Sequence, residues 1–310
     1  MWSCEKDITV DLPEAESKLV VEGRIEADST GGLPPIVILT KSVGYFEPTD
    51  LNTIQSLFVH NATVSVSVDG KTYALEEVCL NNLDPQLVPL AAEFLGLSEE
   101  DLKAFNYCIY TVPLTDLISG NYLKGEVGKT YTLRVLNEGK EYTSETRIPE
   151  LVSLDSLWFE ARRDDTLGFA FATMTDPPEF GNANRWFAKR LNVAKADNGY
   201  LAPFGSAFDD EFINGVSFEF AYDRPDPPGF IEDEPGEVGH YYKLGDTVAI
   251  KFCTIDRGVF DFLRIYEVEI SSNGSPFASP STIPTNIKGG ALGFWAGYGA
   301  SYDTLFVPLK

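Results

Sequence analysis

The chain has 310 residues, 24 Lys+Arg against 47 Asp+Glu, a formal charge of −23, and 44% apolar with 13% aromatic residues. That aromatic content excludes a disordered acidic chain, and no apolar run reaches the ~20 residues that a spanning helix needs. The charge repels phosphate backbones, and no basic cluster longer than Arg162-Arg163 offsets it, so nucleic acid is excluded as a partner. At about 100–200 residues per domain the length predicts two domains.

Met1-Trp2-Ser3-Cys4 runs directly into the polar stretch Glu5-Lys6-Asp7. A small residue before a cysteine, followed by a polar tether, is what a bacterial lipoprotein signal leaves once its hydrophobic part is gone. A chance surface cysteine is the plain alternative, and residues 1–17 are read as the tether.

From 18 to 149 the pattern is short β runs with period-two alternation, at 18–26, 36–42, 63–68, 72–75, 108–112, 130–137 and 141–148. Asp69-Gly70 and Asn137-Glu138-Gly139 mark hairpin turns, because these residues tolerate positive φ. Seven strands at this spacing predict an immunoglobulin-like β-sandwich. A helical insertion at 81–105 interrupts it. Asp84-Pro85 reads as cap and first helical residue, Leu87, Leu90, Ala91 and Phe94 share a face, Gly96 stops the turn, and Ser98 to Asp101 starts a second short helix. The insertion is either a lid over the sandwich end or a docking element.

From 150 to 310 a second, antiparallel β domain is expected, with runs at 156–161, 167–173, 185–193, 216–222, 241–244, 247–255, 291–296 and 303–308. Val259, Phe262, Leu263, Tyr266 and Ile270 follow helical spacing, with Asp256 as cap and Asn273-Gly274 as stop, so this domain carries one helix. The expected fold class is all-β.

Four cysteines without a CxxC, and only His60 and His240 beside them, supply no zinc site of ordinary ligand spacing. Cys79 and Cys108 bracket the insertion and suit a bridge in an oxidising compartment, although spacing alone does not decide pairing. Cys253 reads as a buried core thiol. No GxSxG, HExxH, P-loop or Rossmann glycine pattern occurs, and His60 and His240 read as strand ends. With 47 acids, some carboxylate pair meets glycosidase spacing by chance, so such a pair carries no weight. Asp209, Asp210 and Glu211 open an acidic window that also holds Glu219, Asp223, Asp226, Glu232-Asp233-Glu234 and Glu237. It reads either as a solvated loop or as a calcium-binding one. The aromatic pieces Trp186-Phe187, 218–222, Tyr241-Tyr242 and 294–298 suit strand core more than a sugar-stacking surface.

Three parts of the chain together resemble a family of Bacteroidota lipoproteins catalogued as domain of unknown function 4249. The opening carries Cys4-Glu5-Lys6-Asp7, Val10-Asp11-Leu12-Pro13 and Lys18-Leu19-Val20-Val21-Glu22-Gly23. The middle carries Thr175-Asp176-Pro177-Pro178, Asn182-Ala183-Asn184-Arg185-Trp186-Phe187, the run from Phe208 to Gly215, and Leu244-Gly245-Asp246-Thr247-Val248. The end carries Ser275-Pro276-Phe277-Ala278 and the run from Thr285 to Phe294. The resemblance implies a lipid on Cys4, an outer-membrane location, an outer-membrane transporter of the TonB-dependent class or another envelope protein as partner, and no catalysis or cofactor. A glycan-active or peptide-active surface enzyme and a structural envelope or adhesin module are the competing classes. Asp176, Asn182, Asn184, Trp186 and Trp295 are the expected ligand or partner surface, with a structural role for 176–187 as the plainer reading. The glycines of 285–294 are expected to bend a strand so that Leu292 and Phe294 face the core and Trp295 faces outward. On that reading Gly290→Val costs several kcal/mol.

Overall fold

A computed structural model describes residues 16–43, 51–95, 107–193, 199–226, 238–272 and 282–309. Within them the chain is all-β with a few helices, its sheets stacked in a sandwich-like arrangement. Cys4, Gly96, the second helix of the insertion and Glu232-Asp233-Glu234 with Glu237 lie outside the described residues.

The first half forms β1 (Leu19–Ala27), β2 (Ile36–Lys41), α1 (Leu51–Ser56), β3 (Thr63–Val68), β4 (Lys71–Cys79), α2 (Val88–Leu95), β5 (Cys108–Thr111), α3 (Leu114–Ser119), β6 (Thr130–Asn137) and β7 (Lys140–Arg147). Both predicted hairpin turns form, with Asp69 and Gly70 at φ 50° and 76° and Glu138 and Gly139 at 50° and 78°, the geometry whose twist matches paired strands. Asp84 starts a turn, its Oδ1 accepting from the Gln86 amide at 2.9 Å. Helix α2 begins at Val88, so Pro85 precedes the helix and is not its first residue.

The second half forms β8 (Ser156–Arg163), β9 (Leu167–Thr175), β10 (Ala183–Arg190), β11 (Ala207–Asp209), β12 (Ser217–Tyr222), β13 (Tyr242–Lys243), β14 (Thr247–Ile255), α4 (Arg257–Ser272) and β15 (Leu292–Phe306). Asp256 caps α4 as expected, its Oδ1 accepting from Val259 N at 3.0 Å. Val259, Phe260, Phe262 and Leu263 are buried, while Tyr266 and Ile270 are exposed. The helix therefore packs by its first two turns, and the later positions of its apolar stripe face solvent.

Strand β15 is the spine of the molecule. The two runs expected at 291–296 and 303–308 are one strand of 15 residues. Its first half pairs parallel with β1, Val20 opposite Leu292 through Ala27 opposite Gly299. Its second half pairs antiparallel with β14, Thr247 opposite Phe306 through Thr254 opposite Gly299. The strand continues through Gly297 because the end of β7 crosses there: a Cβ on Gly297 would lie 2.5 Å from the Arg147 carbonyl oxygen. One sheet of 11 strands, ordered β11-β10-β14-β15-β1-β2-β5-β4-β3-β6-β7, thus runs through the boundary expected at 149. A parallel pair, β1 with β15, joins its two halves.

Three packed regions follow. One face of β1 and β2 closes on β3, β6 and β7 around Trp295. One face of β10, β14 and the end of β15 closes on the smaller sheet, in which β9 pairs with β8, β12 and β13. The opposite face of β10, β14 and β15 receives α4. The expected outward turn of Trp295 is reversed. Trp295 is fully buried, Leu292 is 38% exposed, and Phe294 packs against Phe262 at a ring separation of 4.8 Å. The physical reason is a vacancy across the sheet, since a Cβ on Gly23 would stand 2.6 Å from the Trp295 ring. The indole N–H donates to the Tyr131 carbonyl at 3.0 Å, and the Asn286 side chain pairs with both backbone groups of Trp295 at 2.8 and 2.9 Å.

Candidate functional site

Alternation along the strands aims one set of side chains into a cavity of about 570 Å³ on the face of the main sheet that α4 leaves open. Along β1 the odd positions Val21 and Ile25 enter the first core, so Glu22, Arg24 and Glu26 line the cavity. By the same parity β10 presents Arg185 and Phe187, β14 presents Lys251, and β15 presents Phe294, Tyr298 and Tyr302. Leu95 from α2 and Tyr107 beside β5 complete one wall.

An ion pair between Lys251 and Glu26 sits in the floor, with 11% and 5% of the side chains exposed. The Tyr302 hydroxyl donates to Glu26 Oε1 at 2.7 Å, and burial, then the Glu26 charge, push that phenol well above its ordinary value. The Lys251 ammonium lies 5.3, 5.8 and 5.9 Å from the ring centres of Phe187, Tyr298 and Tyr200, so the cation is held by ring faces as well as by a carboxylate. Arg185 stacks on Phe187 at 4.7 Å and donates through Nη1 to the Tyr298 hydroxyl at 3.0 Å. Cys253, a free thiol, is fully buried on β14, and burial pushes it up to about 12, which removes it from nucleophilic chemistry.

The residues expected as a surface lie elsewhere. Asp176, Asn184, Trp186 and Trp295 are each at most 2% exposed, so they form no docking face. Trp186 packs between layers against Phe220 and Tyr222, with ring centres 5.9 and 5.4 Å away. Asn182 holds its own turn, donating to the Glu179 carbonyl at 2.5 Å. Asn184 and Trp186 are internal because their parity of β10 faces the smaller sheet, Asp176 continues the inward parity of β9, and Trp295 faces the first core. Of the aromatic pieces, Phe187, Phe294 and Tyr298 reach the cavity, whereas Trp186, Phe218, Phe220 and Tyr222 belong to the core between layers.

The expected calcium trio is split three ways. Asp209 pairs with Arg257 Nη1 at 2.7 Å, Glu211 is exposed, and Asp210 is fully buried. Burial pushes the Asp176 carboxyl above its ordinary value, and the neighbouring Asp210 charge adds to the rise.

A second cluster was illegible as a spacing motif. His60, Glu77, Cys79 and Cys108 bring their ligand atoms within 4.8 Å of one another. Both sulfurs are committed to the Cys79–Cys108 disulfide, which joins directly opposed residues of β4 and β5. The disulfide closes the base of the insertion, and at a separation of 29 residues it stabilises the fold by about 3–4 kcal/mol through the unfolded chain. His60 is left to Glu77, with Nδ1 2.5 Å from Oε1. Burial pushes the Glu77 carboxyl up, but the Asn61 amide and His60 outweigh it and leave the group below its ordinary value.

No family model matches the chain. No curated protein matches it. Among solved structures it is similar to the one described as "Crystal structure of CBD12 from CALX1.2", at 9% identity over 93% of this chain and 99% of that one, with a TM-score of 0.14. A superposition of that quality transfers neither fold nor function.

Proposed function

We propose that this protein is a non-catalytic outer-membrane lipoprotein that captures a small ligand in the β1/β10/β14/β15 cavity as the accessory of a TonB-dependent transporter. The cavity carries the reading. Its 570 Å³ falls within the size of small-molecule sites, which combine apolar walls with a few placed polar groups. Several of its polar groups are committed to one another, Glu26 to Lys251 and Tyr302, and Arg185 to Tyr298, while Glu22 and Arg24 line it as well. That arrangement suits holding a ligand better than moving protons. Ring faces beside fixed hydrogen-bonding groups fit a saccharide, which offers an apolar face and a polar edge.

Calorimetry against a panel of neutral and acidic oligosaccharides tests the reading. Tyr200 lines the cavity, its ring tilted against that of Tyr302 with centres 5.8 Å apart. Tyr200→Ala should weaken the bound sugar about tenfold, the loss expected of one aromatic contact with its buried area, while the melting temperature stays nearly unchanged. Turnover of the bound sugar would favour the enzyme class, and no binding across the panel would favour a structural envelope module.

The anchor rests on Ser3-Cys4 and the polar tether. A precursor expressed with its own signal should partition into detergent, because several acyl chains at ~0.8 kcal/mol per buried methylene hold a protein on a membrane. Cys4→Ser should shift it to the soluble fraction and lower its mass by the lipid. A Cys4→Ser protein that stays equally membrane-bound rules the anchor out.

A further inference from the structure

Three strands bring polar side chains to one place between the layers of the second half. Asp176 continues the inward series Ala170, Ala172 and Met174 of β9. From the facing sheet, β10 turns Asn184, Trp186 and Ala188 into the same space, where Trp186 and Ala188 join that core. The β10–β11 register sets Ala183 opposite Asp209 and Asn184 opposite Phe208. One step further Asp210 stands opposite Asn182, on the face that carries Asn184 and Phe208, and its amide donates to the Asn182 carbonyl at 3.2 Å. Asp176 and Asp210 are within electrostatic reach of each other.

Each carboxylate is half-satisfied in the same way. Asp176 Oδ2 accepts from Gly215 N at 3.2 Å, and Asp210 Oδ2 accepts from Gly181 N and Asn182 N at 2.6 and 2.8 Å. Asp176 Oδ1, Asp210 Oδ1 and both side-chain polar atoms of Asn184 have no hydrogen-bond partner among the described residues. All three side chains are at most 2% exposed. Buried polar atoms without partners mark the place of a bound water or ion. A water would satisfy the oxygens yet leave two buried carboxylates within electrostatic reach of each other and without an ion pair among the described residues. Arg257, which pairs with the neighbouring Asp209, is also held by Asp261.

We propose that Asp176, Asn184 and Asp210 bind one Ca²⁺ through their Oδ1 atoms, with water completing the shell. Two carboxylates and an amide carbonyl form the all-oxygen donor set that hard cations select, and calcium tolerates an irregular arrangement completed by water. The ion is structural. It ties the turn after β9 to the turn after β11, which the two carboxylates already cross-link by accepting from the amides of Gly181, Asn182 and Gly215. The site is independent of the cavity and of any ligand bound there.

The test uses the full chain after dialysis against a chelator. Calcium should bind with one high-affinity equivalent in calorimetry and raise the melting temperature by about 5 °C at a hundredfold excess over Kd. Tb³⁺ should show emission sensitised by Trp186, two residues from Asn184, and calcium should quench it by displacement. Asp176→Asn, which keeps the shape and removes one charge, should weaken calcium at least tenfold while melting at or above the parent in chelator. Asn184→Ala should abolish the sensitised emission. The proposal is overturned if the parent shows no high-affinity equivalent. It is equally overturned if calcium raises the melting temperature of Asp176→Asn as much as that of the parent, since the effect would then come from the acidic surface. Stabilisation by acid alone, with no response to calcium, would put a shared proton in the site in place of the ion and would also overturn it.

Discussion

Gly293→Val is expected to cost more than about 5 kcal/mol, enough to keep the protein from folding at ordinary temperature. Gly293 has φ 95°, and a Cβ there would stand 1.9 Å from the Val21 carbonyl oxygen. That oxygen belongs to β1, which pairs Val21 with Gly293 itself. No rotamer change relieves a contact with backbone, so the parallel junction between the two halves has to open. Gly290 separates the two contributions to the cost. It has φ 87°, but the nearest atom to its Cβ position is the end of a lysine, Lys140 Nζ, at 3.8 Å. Gly290→Val therefore meets backbone strain alone, about 1–3 kcal/mol, against the several kcal/mol expected from a glycine-bent strand. Urea unfolding of both variants, with soluble yield as the second readout, checks the pair. Equal losses at 290 and 293 would show that strain, and not the approach to β1, sets the cost.

Lys251→Met is expected to destabilise the protein by about 3–5 kcal/mol, because it leaves the Glu26 carboxylate buried and unpaired. Glu26 and Lys251 come from opposite ends of the chain and meet across β15, which separates β1 from β14. Adding Glu26→Gln to Lys251→Met should recover most of the loss, since Gln keeps an acceptor for the Tyr302 hydroxyl and removes the stranded charge. Denaturant midpoints of the two single variants and the double variant give the coupling. If the double variant is as unstable as the sum of the singles, the pair is not a unit, and Lys251 stabilises through the rings of Phe187, Tyr298 and Tyr200 instead. The double variant also reports on the capture reading: a sugar held by the charged floor is lost with it, whereas one held by ring faces is retained.

The turn after β9 shows how far resemblance alone reaches. Asp176, Asn182 and Asn184 stand out along the chain as a group, but Asp176 and Asn184 are internal and Asn182 is spent on its own turn. Asn182 holds the turn with its side-chain amide, while Asp176 and Asn184 point between layers. A polar residue on a strand is ordinarily taken for a surface position, because water is the usual partner of polar atoms. Here the parity that carries Asn184 is covered by the smaller sheet, so polarity marks an internal position.

The local features depend only on neighbours in sequence. Asp69-Gly70 and Glu138-Gly139 supply positive φ wherever they stand, period-two alternation marks β3 and β6 to the residue, and Asp256 caps α4 through an amide three residues on. These signals are short-range steric and hydrogen-bonding preferences, and the tertiary structure has no reason to overrule them. Pairing partners and faces are different in kind. The parallel joining of β1 to β15 connects residues about 270 positions apart in the chain, and the alternating residues of β15 are apolar on both parities because both faces are covered. Trp295 belongs to the core because Gly23, far away in sequence, leaves room for it, and the cavity exists because β1, β10, β14 and β15 turn one parity of side chains to the same face. The convergence of Asp176 with Asn184 and Asp210 was likewise decided by the stacking of two sheets, since free energy of packing depends on which surfaces meet and not on the order in which the chain supplies them.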